Sequence, residues 1–246
     1  MQILKRTRDD DHSMLDDLAG KDLSRRNFLR FSGVAGATAL IAGGTLSSCR
    51  KDKDMNADGV NLGSGDFGVL NYAYALEQLE AAFYTQVVAS GGFATAFSSL
   101  EQEYMRDLRD HEVAHREFLK AALTSNAIQN LEVDFSSIDF NSRTSVLNAS
   151  RTFEDLGVAA YNGAGKLLVS TDLLTIAGKI VSVEARHAAL IRDLISNGSF
   201  ADLSTLTAFG ANTTNALDGA LNPPQVLALA APFIKTKINA SNLPTS

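Results

Sequence analysis

The sequence predicts an all-α fold, a four-helix bundle whose second and third helices are joined by a long crossover, with short helices after the fourth. Three observations carry this reading. Four segments of about 25 residues repeat apolar side chains at helical spacing. Short turns rich in Ser, Gly and Asp separate the first from the second and the third from the fourth. Between the two pairs, Asn126 to Ser142 lacks helical periodicity and is long enough to cross a bundle from end to end.

Taken in order, the first helix runs from about Asp66 to Ala89 and is ended by Ser90-Gly91-Gly92. The second covers about Ser98 to Leu123. The third follows the crossover from about Thr144 to Leu168. Ser170-Thr171-Asp172 then supplies turn and N-cap residues for the fourth, which reaches about Ser196 before Asn197-Gly198 stops it. One further helix is expected near Leu203 to Leu217 and another at Gln225 to Phe233. The organisation expected is a signal segment at 1–48, a flexible tether at 49–65, the bundle at 66–197 and a helical extension at 198–246.

Polar residues interrupt the apolar faces of all four helices. Glu112 and His115 lie in the stripe Met105, Leu108, Leu119, Ala122, while Glu184 and His187 lie in the stripe Ile180, Ile191, Leu194. Residues i and i+3 share a helix face, so each Glu-x-x-His pair aims an oxygen and a nitrogen at one point. A lone pair of this kind is usually a solvated polar surface. Here two of only four histidines carry a Glu three residues earlier, which chance would produce in about one chain in a hundred. Two pairs suggest two metal ions. Glu77 and Glu154 occupy the core faces of the first and third helices, each with a tyrosine seven residues on, Tyr84 and Tyr161, so the chain reads as a duplicated helical hairpin. Glu80 shares the face of Glu77 and is the alternative ligand from the first helix, or an additional one; the tyrosine spacing favours Glu77. His111 has no Glu partner and reads as a core or surface histidine. Tyr84 and Tyr161 read as core aromatics whose hydroxyls bond to ligand carboxylates.

This pattern resembles the ferritin-like di-metal carboxylate superfamily, in which two helices each give one Glu and two others each give a Glu-x-x-His. A closer resemblance, to exported bacterial ferritin-like domain proteins including the desiccation-related ones, rests on Leu76-Glu77-Gln78-Leu79-Glu80-Ala81-Ala82-Phe83-Tyr84 and on Pro223-Pro224-Gln225-Val226-Leu227 leading to Ala231-Pro232-Phe233-Ile234. It implies the fold and a two-metal site more firmly than a reaction. Hard carboxylates with one imidazole per ion suit two iron or two manganese ions. Glu112 and Glu184 are the bridging candidates, His115 and His187 each cap one ion, and Glu77 and Glu154 are terminal. Ferroxidase, peroxidase or catalase-like chemistry in envelope stress is the enzymatic expectation. The alternative is a non-catalytic metal-binding or structural stress protein.

The N-terminus addresses the chain. Ser24-Arg25-Arg26-Asn27-Phe28-Leu29-Arg30 precedes a Gly/Ala-rich apolar stretch and reads as a twin-arginine export signal, with Arg25 and Arg26 as its pair. Leu46-Ser47-Ser48-Cys49 closes it like a lipobox, making Cys49 the expected lipidation site. Glycines and hydroxyl residues dilute the stretch below what a stable membrane span favours. The partners expected are the twin-arginine translocase, the lipoprotein-processing machinery and a membrane reached through the lipid, which places the mature chain in the periplasm or cell envelope. With one cysteine, an intramolecular disulfide and a multi-thiolate site are both excluded. Beyond residue 48 there are 15 basic and 22 acidic residues without a basic cluster, which argues against nucleic acid. A homo-oligomer is left open, although a lipid on every subunit suits a closed mineral-storing shell badly.

Overall fold

The computed structural model describes residues 59–245; Arg25, Arg26 and Cys49 lie outside them. Four long helices form the bundle: α1 (Gly65–Ala89), α3 (Ser99–Leu123), α4 (Arg143–Gly165) and α5 (Thr171–Ile195). A single-turn α2 (Phe93–Ala96) sits between the first two, and α6 (Pro223–Ala230) follows the bundle. The fold is the all-α bundle that the sequence predicts. Its packing is hairpin against hairpin, with α1 laid most extensively on α3 and α4 on α5.

Local chemistry explains where the helices begin. Ser98 and Glu101 form a capping box at the start of α3, Ser98 N–H donating to Glu101 Oε2 at 2.9 Å and Glu101 N–H to Ser98 Oγ at 3.3 Å. Glu101 also accepts from Arg143 Nε at 2.8 Å, and Arg143 Nη2 donates to the Leu194 carbonyl at 2.9 Å. One guanidinium thus ties the starts of α3 and α4 to the end of α5. At the opposite end Asp66, in the first turn of α1, accepts the backbone N–H groups of Val169 and Ser170, and Ser170 caps α5.

The central helices are α1 and α4. Seventeen of the 25 residues of α1 are buried, against five of 25 in α3. This follows from what covers α1's outer side. The crossover lies along it, held by Asn71, which donates to the Leu62 and Asn126 carbonyls and accepts from Ile128 N–H, and by Gln78, which accepts from Leu131 N–H. Phe135 and Phe140 of the crossover pack on Phe83. The tail closes the other side, with Leu221 N–H donating to the Ala159 carbonyl of α4; a Cβ at Gly163 would meet the Leu221 carbonyl, so only glycine allows this approach.

Several details depart from the sequence expectations. The third helix ends at Gly165 rather than near Leu168, because the chain must turn to present Val169 and Ser170 to Asp66. The helix expected over Leu203 to Leu217 is a 3-10 segment, Leu203–Phe209, stopped by Gly210 at φ 87°, after which Asn212 and Leu217 pair as an antiparallel bridge. The second tail helix begins at Pro223 and finishes as a 3-10 turn, Ala231–Phe233. Residues 59–64, expected within the tether, are tied to the tail: β1 (Val60–Asn61) pairs in parallel with β2 (Ile238–Asn239). Among the described residues no helix is long and apolar enough to cross a membrane.

Candidate metal centre

Five glutamates and two histidines from the four long helices meet at mid-bundle. Glu77 and Glu80 come from α1, Glu112 and His115 from α3, Glu154 from α4, and Glu184 and His187 from α5. Glu77, Glu112, Glu154 and Glu184 have no exposed surface at all. Helical spacing brings each Glu-x-x-His pair to one face, and the packing of the two hairpins turns those faces toward each other.

The groups gather about two centres. Around the first, His115 Nδ1 lies 3.5 Å from Glu77 Oε2, 3.3 Å from Glu112 Oε2 and 3.0 Å from Glu184 Oε1. Around the second, His187 Nδ1 lies 2.7 Å from Glu112 Oε1 and 3.4 Å from Glu154 Oε2. Glu77, Glu112, His115 and Glu184 form one set of four donors, and Glu112, Glu154, Glu184 and His187 the other, each within 4.8 Å of one another. Glu112 and Glu184 belong to both. The two oxygens of Glu112 face different sets.

Each α1 or α4 carboxylate is held from across the bundle. Tyr84 on α1 donates its hydroxyl to Glu154 Oε1 on α4 at 2.5 Å, and Tyr161 on α4 donates to Glu77 Oε1 on α1 at 2.5 Å. In both glutamates this leaves the second oxygen, Oε2, for the centre. The repeat in the sequence therefore becomes an approximate two-fold arrangement with exchanged tyrosines.

Glu80 and His111 break that symmetry. Glu80 belongs to neither set of four; its carboxylate lies in the space that Gly157 leaves on α4, where an added Cβ would stand 3.0 Å from Glu80 Oε1 and 3.2 Å from Glu184 Oε2. His111, exposed on α3, places Nδ1 2.9 Å from His187 Nε2, with the two rings 13° from parallel. For want of a Glu partner, His111 reads in the sequence as a core or surface histidine rather than as part of the cluster. Its position one turn before His115, on the same face, was the available signal.

Seen as a set of donors, the cluster fits divalent cations. Glu77 Oε2, Glu112 Oε1, Glu154 Oε2, both oxygens of Glu184 and His187 Nδ1 are buried without an aligned hydrogen-bond partner, although Glu112 Oε1 and His187 Nδ1 are only 2.7 Å apart. Buried polar atoms that converge in this way can serve as ligands around a common atom. Without cations, protons do the neutralising. Burial pushes Glu77 up to about 7 against the lowering contact of His115, and raises Glu80 and Glu184 well above the carboxylate range, aided by the neighbouring carboxylates. Burial also raises Glu154. For Glu112 burial is outweighed by His115 and His187, which hold it at about 2. The surrounding carboxylates likewise overcome burial at both imidazoles, raising His187 to about 11 and His115 strongly. His111 moves the other way, lowered by partial burial and by its neighbour His187.

Comparison with protein families matches residues 65–197 to the ferritin-like domain and residues 22–42 to the twin-arginine translocation pathway signal sequence. The second match marks the chain for export across the cytoplasmic membrane by the twin-arginine translocase. A comparison with curated proteins found no match.

Proposed function

Because the chain belongs to the ferritin-like domain family, we propose that it is an exported protein that holds a pair of iron or manganese ions at mid-bundle and uses them in redox chemistry with dioxygen or peroxide. The observation that carries this is the pair of four-donor sets sharing Glu112 and Glu184. Glu77 and His115 would complete one ion's protein ligands, Glu154 and His187 the other's. Two divalent ions bound there supply one-electron changes at neighbouring centres, which together match two-electron exchange with an oxygen substrate. The residues do the rest. Tyr84 and Tyr161 fix the carboxylates of α4 and α1, and His111 orients the His187 ring through its outer nitrogen.

Glu80 adds a fifth carboxylate beside Glu184, one more negative charge than two divalent ions offset. It supports a centre able to hold an extra positive charge, as an oxidised ion or a proton. In the same reading Cys49 carries a lipid that tethers the exported domain to a membrane of the envelope, and twin-arginine export lets the bundle close around its metal before it crosses.

The test is elemental analysis of protein purified from its native compartment, followed by ferrous oxidation with dioxygen and with hydrogen peroxide. Two iron or manganese ions per chain, lost when Glu112→Ala is combined with Glu184→Ala, is the expected result. Stoichiometry that stays at two in the double variant places the metal elsewhere. Full occupancy without turnover of either oxidant leaves metal binding standing and removes the redox role.

A further inference from the structure

An apolar cavity lies one helical turn from the donor cluster, toward the end of the bundle where α1 and α5 begin. Its lining includes Ala73, four residues before Glu77; Leu119, four after His115; and Ile180, four before Glu184. One turn of helix rises about 5.4 Å, so the floor of the cavity is the next layer of side chains beneath the glutamates and histidines. Tyr161 belongs to both, its ring lining the cavity and its hydroxyl bonded to Glu77. On the outer side, Ala177 of α5 is partly exposed.

We propose that this cavity receives dioxygen and delivers it to the centre. The inference rests on the redox reading above and names the oxidant. Size limits the occupant first: about 30 Å³ is open to the centre of a water-sized sphere, enough for a diatomic molecule and far below the roughly 150 Å³ that admits benzene. Polarity limits it next. The lining side chains are hydrocarbon except for two hydroxyls, and that of Tyr161 is spent on Glu77. The other, on Tyr72, is buried without a partner. A buried water needs two to four polar partners, and hydrogen peroxide has two donors to satisfy, so one hydroxyl holds neither. Dioxygen has no hydrogen bonds to lose on leaving water and gains by entering an apolar space. No bond is made or broken in the cavity; it concentrates a reactant beside the glutamates.

Xenon reads the site directly, without metal or turnover. Metal-free crystals pressurised with xenon should show it among Ala73, Leu119 and Ile180, and Ala73→Leu should remove it. In metal-loaded protein the ratio of the dioxygen-driven to the peroxide-driven rate of ferrous oxidation should fall about fivefold or more in Ala73→Leu. Ala177→Leu, at the outer side, should lower the same ratio and covers the case in which a larger residue at 73 prevents folding. Absence of xenon in the native protein overturns the proposal, as does an unchanged ratio in a variant that excludes xenon. Native protein that binds xenon there but oxidises iron with neither oxidant overturns the redox reading and with it the delivery role, leaving a gas-binding cavity.

Discussion

Tyr161 donates its hydroxyl to Glu77 across the bundle at 2.5 Å, so that a residue of α4 orients a carboxylate of α1. Tyr84 does the same for Glu154 in the opposite sense. Removing the hydroxyl leaves Glu77 Oε1 buried without its donor, and the carboxylate is then free to turn both oxygens toward the cluster. Tyr161→Phe should therefore weaken metal binding by about tenfold while the helix content stays the same. Competition against a chelator of known affinity measures the first and circular dichroism the second. Unchanged affinity would show that packing alone holds Glu77.

Much of this centre can be read from the chain, because it is built from local spacing. Glu112 with His115, and Glu184 with His187, share helix faces by virtue of being three apart, whatever packs against them. Glu77 with Tyr84 and Glu154 with Tyr161 repeat at equal spacing for the same reason, but that each tyrosine reaches the other helix's glutamate depends on how α1 and α4 face each other. The meeting of His111 with His187 is of that second kind, since it joins residues 76 apart on α3 and α5. So is the pairing of Val60 with Ile238, where two-residue strands carry no periodicity to detect. The segment after Gly198 departs from its helical expectation for a third reason: its apolar residues have helical spacing, but Gly210 and the Asn/Thr-rich turn after it favour 3-10 and bridge geometry.

Stability of the ion-free domain should fall as pH rises toward neutrality. Glu77 is raised from 4.5 to about 7 in the folded chain, so the folded state keeps a proton that the unfolded chain gives up; this favours folding below 4.5 and is lost as pH climbs through 7. His187, raised from 6.5 to about 11, acts in the same direction, its contribution complete below 6.5 and lost toward 11. Glu112, lowered to about 2, acts oppositely: its contribution is present above 4.5 and lost toward 2. Metal-free protein should thus melt higher near pH 5 than near pH 8. Divalent ions bind the deprotonated groups, so the gain in Tm on adding manganese should widen over the same range. Calorimetry with and without metal checks both slopes. An ion-free Tm that does not fall between pH 5 and pH 8 would mean that the glutamates are solvated rather than clustered.

Gly157 separates helix propensity from the chemistry of the site. Alanine in the interior of a helix is normally favoured over glycine by about 0.5–1 kcal/mol. At this position its Cβ would stand 3.0 Å from Glu80 Oε1 and 3.2 Å from Glu184 Oε2, so both carboxylates must move by a few tenths of an ångström. Gly157→Ala should show no gain in Tm without metal and a several-fold loss of affinity in both of two binding events, because the displaced Glu184 belongs to both sets of donors. Metal titration followed by calorimetry resolves the two events. A rise in Tm with unaltered binding would show that the pocket around Glu80 is slack.

The address of the chain and the chemistry of its bundle are separable. Arg25 and Arg26 fall within residues 22–42, the matched twin-arginine signal, and replacing both with Lys should retain the full-length precursor in the cytoplasm with its bundle folded. Cys49→Ala should act later: the chain should still engage the translocase, but lipid attachment should fail and the protein should no longer partition with membranes through an acyl chain. The helical domain should be unaffected in either case, since the bundle begins at Gly65. Fractionation combined with intact mass distinguishes the two failures. Native protein whose mass shows no lipid on Cys49, or that retains residues before Phe31, would rule out lipidation while leaving the metal centre untouched.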